Sequence, residues 1–362
     1  MENNLGLIVL ESSKTLGDNV NNYLKSWRNS EVDYLIKSDC PRFGTGEAKC
    51  HINETIREKD IYILLDVCNY SLTYTVCGLT NHMSPDDHYQ DLKRVISAIN
   101  GKAKRITVIM PFMYESRQHK RASRESLDCA MMLKELEFLG VDNIITFDAH
   151  DARVQNAISL MSFENVSPAY QFVKTLLTQD NTININPEKL MIISPDEGAT
   201  NRAIFLSNMF NVNMGMFYKR RDFTKIVGGR NPIVAHEFLG DSVKGKDCIV
   251  IDDMISSGDS ILDVAKQLKE RKAKRIILMS TFGLFTNGFE KFDKAYEEKT
   301  IYKVLTTNLV YQKPELLEKP YYLNVDMSSY VAAIINNLNF DNSISSLINP
   351  ATKIKGFLES KI

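Results

Sequence analysis

The sequence carries almost no excess charge: 44 Lys and Arg stand against 45 Asp and Glu, a formal net charge of −1. No global positive field therefore draws the chain onto nucleic acid or an anionic membrane, and any anion it binds must be held by local groups. Nor is there an uninterrupted apolar run approaching the roughly 18 residues of a membrane-spanning helix. The start, Met1-Glu2-Asn3-Asn4, has neither the basic beginning nor the apolar stretch of a secretory leader, so the expected compartment is the cytoplasm. Closely spaced cysteines are missing as well. Cys40, Cys50, Cys68, Cys77, Cys129 and Cys248 contain no Cys-x-x-Cys spacing, which argues against a zinc knuckle or a vicinal redox motif. Reduced, buried thiols are the expectation.

What is present is ordinary for a folded chain. With 362 residues, 44% hydrophobic and 25% charged, the length suggests two domains at about 150 residues each. Short apolar runs recur at Leu7–Leu10, Ile61–Leu65, Ile106–Ile109, Asn143–Thr146, Leu190–Ile193, Asp247–Ile251 and Arg275–Leu278. They are continuous rather than alternating, as in parallel strands covered on both faces. Helical periodicity between them, over Asp91–Asn100, Ser126–Leu139 and Ile261–Arg271, predicts an α/β fold of largely parallel sheets flanked by helices. A domain boundary is expected near Ser162–Pro168, where polar residues and a proline interrupt the pattern.

The chemistry-bearing residues gather where strands end. Ile249-Val250-Ile251 runs into Asp252-Asp253, then into the small-residue loop Ser256-Ser257-Gly258-Asp259-Ser260 and a helix. Ligands of parallel sheets bind beyond the carboxyl ends of the strands, and backbone N–H groups of a tight loop at a helix N-terminus can cradle a phosphate. Two adjacent carboxylates suit the hydroxyls of a ribose or a magnesium ion; the plain alternative is capping by Ser257 or Ser260 with solvated acids. Ser194-Pro195-Asp196-Glu197-Gly198 again sets an acid and a glycine before a helix, with a simple turn and cap as its alternative. In Phe147-Asp148-Ala149-His150-Asp151 a histidine sits between acids, either as a metal ligand or in a structural role.

Two basic segments complete the set. Pro111–Arg121 carries Arg117 and Gln118 beside the aromatics Phe112 and Tyr114. Arginine offers a planar fork to phosphate and the rings can stack on a base, a solvated loop being the alternative. Tyr218-Lys219-Arg220-Arg221-Asp222, with Gly228-Gly229 after it, reads as a mobile basic loop able to close over a transferring phosphate, or as a surface charge run. Gly240–Asp247 is a near miss for a Walker A loop because it ends in Asp and precedes its strand. Gly44-Thr45-Gly46 begins like a dinucleotide fingerprint but meets Lys49 where glycine is required.

Together and in this order, the five segments resemble the ribose-phosphate diphosphokinase (phosphoribosyl pyrophosphate synthetase) family, over about Leu5 to Asn349. Phe43-Gly44-Thr45-Gly46-Glu47 is similar to the family loop that touches the ATP base across a subunit interface, and Arg117-Gln118 to the pair on the ATP phosphates and base. The resemblance implies two phosphoribosyltransferase-like domains, residues 1–163 and 164–328, with 329–362 returning to the first as a C-terminal helix. It implies magnesium at His150 and Asp196, catalysis by Lys219, Arg221 and His150, ATP at Phe43, Glu47, Arg117 and Gln118, and ribose hydroxyls at Asp252 and Asp253. Ser256, Ser257, Gly258, Asp259 and Ser260 would hold the 5-phosphate. The implied reaction moves the diphosphoryl group of ATP to the C1 hydroxyl of ribose 5-phosphate and releases AMP, in a homo-oligomer, a hexamer by resemblance.

The chain also departs from the family pattern. Ser256 stands where an Asp is usual and Asp259 where a glycine is; Thr45 replaces Asp or Asn, His119 replaces Asp, and Tyr70–Asp87 is expanded. A carboxylate aimed at a phosphate repels it, so Asp259 keeps open a catalytically silent, regulatory homologue in an oligomer. A phosphoribosyltransferase is a further alternative.

Overall fold

The apolar runs become strands of two sheets in a computed structural model that describes residues 4–221 and 233–361, with side chains described except at 219–221 and 233–236. One unit comprises Met1–Pro168, Asn308–Tyr311 and Asp326–Pro350; the other comprises Ala169–Thr307, Gln312–Val325 and Ala351–Ile362.

In the first unit, β1 (Leu5–Val9), β4 (Asp60–Leu64), β7 (Arg105–Ile109), β8 (Asn143–Phe147) and β9 (Ser162–Val166) form a five-stranded sheet in that order. All four pairings are parallel. β2 (Ser38–Asp39) pairs with β3 (His51–Ile52), and β5 (Thr73–Val76) with β6 (Leu79–His82), as antiparallel hairpins. β4 is buried along its whole length, which explains its unbroken apolar reading. A cut after residue 163 would divide β9; the first segment of this unit runs to Pro168.

The helix expected from Asp91 starts earlier and spans Pro85–Ile99. Its first turn is polar, so periodicity misses it, but Ser84 and Asp87 form a reciprocal capping box ahead of Pro85. The helix Ser328–Asn339 returns to pack on Lys14–Trp27, where Arg28 donates to Asn336 and Asn339, both at 2.9 Å. The tail stays with the first unit as far as Pro350 and then leaves it. Ala351–Glu359 packs on Ala169–Gln179 in the second unit, anchored by the fully buried Ile354.

The second unit has a seven-stranded sheet in the order β12-β11-β10-β13-β14-β15-β16. These are β10 (Leu190–Ser194), β11 (Met214–Arg221), β12 (Ile233–Leu239), β13 (Asp247–Ile255), β14 (Ile276–Gly283), β15 (Lys303–Thr307) and β16 (Tyr322–Val325). Only the β11–β12 pairing is antiparallel. This corrects the reading of Tyr218–Arg221 as loop. The backbone stays extended because β12 supplies a partner, Lys219 lying opposite His236 in the register. The Lys219 and Arg221 side chains, and Asp222 entirely, lie outside the described residues.

The thiol expectation needs a similar correction. Only Cys129 and Cys248 are buried; Cys40, Cys50 and Cys68 are half-buried and Cys77 is exposed, all six being free thiols. Among the described residues no helix is long and apolar enough to cross a membrane.

Asp66 closes the account of the first unit. Its carboxylate, 2% exposed, accepts the Cys68 N–H at 2.7 Å and the Tyr311 N–H at 2.6 Å, and so fastens the Asn308–Tyr311 segment. Burial pushes the carboxyl up to about 7 despite those two donors. The native state thus holds a proton that the unfolded chain gives up near pH 4, so this contribution to stability is complete at low pH and is lost as pH climbs to about 7. In urea unfolding between pH 5 and 8, the wild type should lose stability with rising pH relative to Asp66→Asn. Parallel profiles for the two proteins would refute a shifted Asp66.

Candidate active site

The acids of the second unit do not sit where sequence alone put them. β13 runs on to Ile255, because Met254 and Ile255 find ladder partners in Phe282 and Gly283. Asp252 and Asp253 therefore lie within a strand, where neighbouring side chains leave on opposite faces. Asp253 is 4% exposed and lies 4.0 Å from the Arg202 guanidinium. Asp252 is half-buried, and one of its carboxylate oxygens accepts the Asp253 N–H at 2.8 Å. Burial first, and then the carboxylates of Asp253 and Asp196, push the Asp252 carboxyl well above the ordinary range. The charges of Asp253, next in the same strand, and of Asp196, just past β10, thus both act on Asp252.

Asp196 makes the turn that the plainer reading allowed, but it does not cap the helix, whose N-cap is Ala199. Its Oδ1 accepts the Gly198 N–H at 2.9 Å and the Ala199 N–H at 3.4 Å, ahead of the helix Thr200–Phe210. Its charge also helps to raise the Asp252 carboxyl.

The small-residue loop ends at Gly258, whose φ of +86° is the left-handed conformation that precedes the helix Asp259–Glu270. A Cβ there would also come within 2.5 Å of the Phe292 ring. The residue most at odds with a phosphate site, Asp259, is turned aside. Its carboxylate accepts the Ser257 hydroxyl at 2.9 Å and is ion-paired with Lys291. Lys291 and Ser257 hold the carboxyl below its usual range. Lys291 was not singled out from the sequence. It lies 32 residues away on another helix, and no local pattern connects the two.

In the first unit, His150 is exposed just past the end of β8. The chain turns there through Asp148, at a φ of +44°, and the Ala149 N–H donates to Asn165 Oδ1 at 2.9 Å. His119, the substituted position, packs edge-on against His150 with ring centroids 5.2 Å apart, and its Nε2 lies 3.5 Å from Asp151. Burial and the neighbouring His150 hold the His119 imidazole below its ordinary value. Asp151 is occupied with Arg153 at 2.5 Å, so it caps a short helical turn rather than standing open.

Arg117 is exposed, while Gln118 closes its own loop by donating to the Ser126 carbonyl at 2.8 Å. The aromatics beside them are not base platforms. Phe112 is buried, and Tyr114 stacks on Tyr89 at 4.5 Å and donates to Asp86 at 2.6 Å. Phe43 and Glu47 stand at the tip of the β2–β3 hairpin, where the Phe43 N–H donates to the Glu47 carbonyl at 2.7 Å and Gly46 adopts a φ of +91°. Phe43 is 51% exposed, a side chain that the core leaves to another use.

These features define the class of the protein: an α/β fold of two parallel-sheet units, with acids and a small-residue loop at a helix start in the second. Comparison makes it specific. Residues 5–140 match the N-terminal domain of ribose phosphate pyrophosphokinase, and residues 224–349 match the phosphoribosyl synthetase-associated domain. The ribose-phosphate pyrophosphokinase of Mycoplasma genitalium is 27% identical over 339 residues, covering 93% of this chain and 91% of that one. Ribose-phosphate pyrophosphokinase 3 of Saccharomyces cerevisiae is 28% identical, covering 86% and 89%. The crystal structure of phosphoribosylpyrophosphate synthetase from Mycobacterium smegmatis shares the fold, with a TM-score of 0.74 at 21% identity over 94% of this chain and 100% of that one. The chain belongs to the ribose-phosphate pyrophosphokinase family, and it is an enzyme of that family.

Gly258→Ala should cost about 1–3 kcal/mol, because it adds a disfavoured φ to a clash with Phe292. Thermal unfolding reads this as a fall of several degrees in Tm. An unchanged Tm would mean that the loop does not depend on this glycine.

Proposed function

We propose that this chain transfers the diphosphoryl group of ATP to the C1 hydroxyl of ribose 5-phosphate, giving 5-phosphoribosyl 1-diphosphate and AMP. The observation that carries the reading is the ion pair of Asp259 with Lys291, which offsets the carboxylate that the phosphate loop carries where a glycine is usual. That carboxylate was the motive for a silent homologue. With it neutralised, Gly258 and the first N–H groups of the Asp259–Glu270 helix offer the donors and the positive dipole end that a 5-phosphate needs.

Each group then has a task. Ser256, Ser257, Gly258 and Ser260 hold the 5-phosphate, and Asp252 accepts hydrogen bonds from the ribose hydroxyls. Asp253, held by Arg202, positions Asp252 from behind the strand. Arg117 meets the ATP phosphates, Gln118 braces that loop, and Phe43 and Glu47 face the base. Lys219 and Arg221 neutralise charge on the diphosphoryl group as the C1 oxygen attacks in line and AMP leaves.

The donor chemistry fits magnesium in part. The carboxylate oxygens of Asp196, within an acid-rich region that a cation would relieve, suit a hard ion; the imidazole of His150 suits a softer one, or a water on the metal. Among the described residues no three His, Cys, Asp or Glu side chains converge as a metal cluster. An ion held at either residue would draw its remaining ligands from substrate phosphates and water and would supply charge neutralisation there. Family membership further supports reading the protein as a cytoplasmic homo-oligomer, a hexamer by resemblance.

Phosphorus NMR of the purified protein with ATP, ribose 5-phosphate and magnesium should show AMP and a new C1 diphosphate in equal amounts, abolished by EDTA and by Lys219→Ala. A folded protein that forms neither product would overturn the proposal. Arg221→Ala should lower kcat far more than it raises either KM, since its charge acts in the transition state. A change confined to KM would assign Arg221 to ground-state binding instead. Lys291→Ala should release Asp259 toward the cradle and raise KM for ribose 5-phosphate roughly tenfold, equivalent to about 1.4 kcal/mol. Restoration by the double variant with Asp259→Gly would identify the repulsion as the cause.

A further inference from the structure

The β2–β3 hairpin holds two thiols in a relation that the sequence spacing conceals. Ser38 lies opposite Ile52, Asp39 opposite His51, and Arg42 forms an isolated bridge with Ala48. One continuous antiparallel register therefore sets Cys40 directly across from Cys50. Backbone donation from Asn53 to Lys37, from Lys49 to Pro41 and from Phe43 to Glu47 marks the odd-numbered positions as the hydrogen-bonded pairs. Cys40 and Cys50 thus occupy a non-hydrogen-bonded site, where opposed Cα atoms approach to about 4.5 Å and the side chains are closest. That separation lies within the range a disulfide spans.

We propose that Cys40 and Cys50 form a reversible disulfide that locks the hairpin tip carrying Phe43 and Glu47. The Cys50 thiol donates to the His51 carbonyl at 3.7 Å. Each thiol acts on the other, lowering Cys50 from its ordinary value and raising Cys40. One sulfur is thereby readied as the nucleophile and the other keeps its proton, the asymmetry expected of an exchanging pair. Access is open on both sides. Cys40 lines a cavity of about 380 Å³ with Arg42, Tyr74 and His88. Cys50 lines a separate open groove with Lys49, Lys93 and Arg94; Lys93 is paired with Glu135 and Arg94 with Asp91, which leaves Lys49 to attract an anionic reagent. By contrast, burial pushes the Cys129 and Cys248 thiols up to about 12 and leaves them unreactive.

The oxidant that fits is a small, negatively charged disulfide such as oxidised glutathione. The Cys50 thiolate attacks one of its sulfurs, the S–S bond breaks and one thiolate leaves, giving a mixed disulfide on Cys50. Cys40 then loses its proton to solvent and displaces the second thiolate. In sum, two protein thiols are oxidised and one small disulfide is reduced to two thiols. The new bond closes the loop around residues 41–49 and adds a covalent tie to a tip held by backbone hydrogen bonds between Phe43 and Glu47 and between Gly46 and Phe43. The effect on ATP rests on the function proposed above; the cross-link does not.

The test treats the reduced full-length protein with oxidised glutathione. Trypsin should then release Ser38–Arg42 linked to Cys50–Arg57, reversed by dithiothreitol, with only transient glutathione on Cys50. A stable glutathione adduct on Cys50, or reaction confined to the exposed Cys77, would overturn the proposal. In steady-state assays the oxidised enzyme should show a KM for ATP lowered about threefold through preorganisation, and an unchanged KM for ribose 5-phosphate. The Cys40→Ser, Cys50→Ser double variant should retain the reduced enzyme's rate and ignore glutathione. A cross-link without any change in the KM for ATP would overturn control of the hairpin. A cross-linked protein inactive in both redox states would overturn the catalytic reading while leaving the disulfide standing.

Discussion

Burial of parallel strands on both faces is the constraint on which the rest of this structure depends. A strand such as Asp60–Leu64, with every residue buried, has no face left on which to present chemistry. Reactive side chains are then confined to strand ends and to the loops that follow. His150 follows Phe147, Asp196 follows Ser194, and the Ser256–Ser260 loop follows Ile255. The two units obey the same rule separately, which is why unrelated local sequences yield comparable loop positions.

Crowding acids at such ends has an electrostatic cost, and the second unit meets it in different ways. Asp253 is held near Arg202, Asp259 is drawn off by Lys291, and Asp252 is left to the combined push of burial and its neighbours. The last is the condition expected of a group that completes its partners only when a ligand arrives. A carboxylate standing where a glycine is usual reads as damage in one dimension. In three dimensions it is half of an ion pair.

The first unit is tied together by polar contacts far apart in the chain. Asp60 receives the Arg105 fork at 2.6 and 2.8 Å and also accepts from Asn339 at 2.9 Å, joining β4, β7 and the returning helix. Asp66 does the same for Tyr311. Such carboxylates are worth their burial because each accepts several donors at once.

The amino-acid sequence by itself determined the α/β class, the order of the main parallel strands and the loops that carry charge, since continuous apolar runs and capping residues are local signals. It could not show that Asp252 and Asp253 stay within β13, because the ladder partners Phe282 and Gly283 lie on a later strand. The antiparallel partner that keeps Tyr218–Arg221 extended, the stacking that occupies Tyr114, and the Lys291 that disarms Asp259 were equally out of sight. So was the opposition of Cys40 and Cys50, which follows from register rather than spacing. Secondary-structure signals act over a few residues, whereas ladder pairing, ring stacking and ion pairing join residues that only folding brings together; those contacts were left for the tertiary structure to decide.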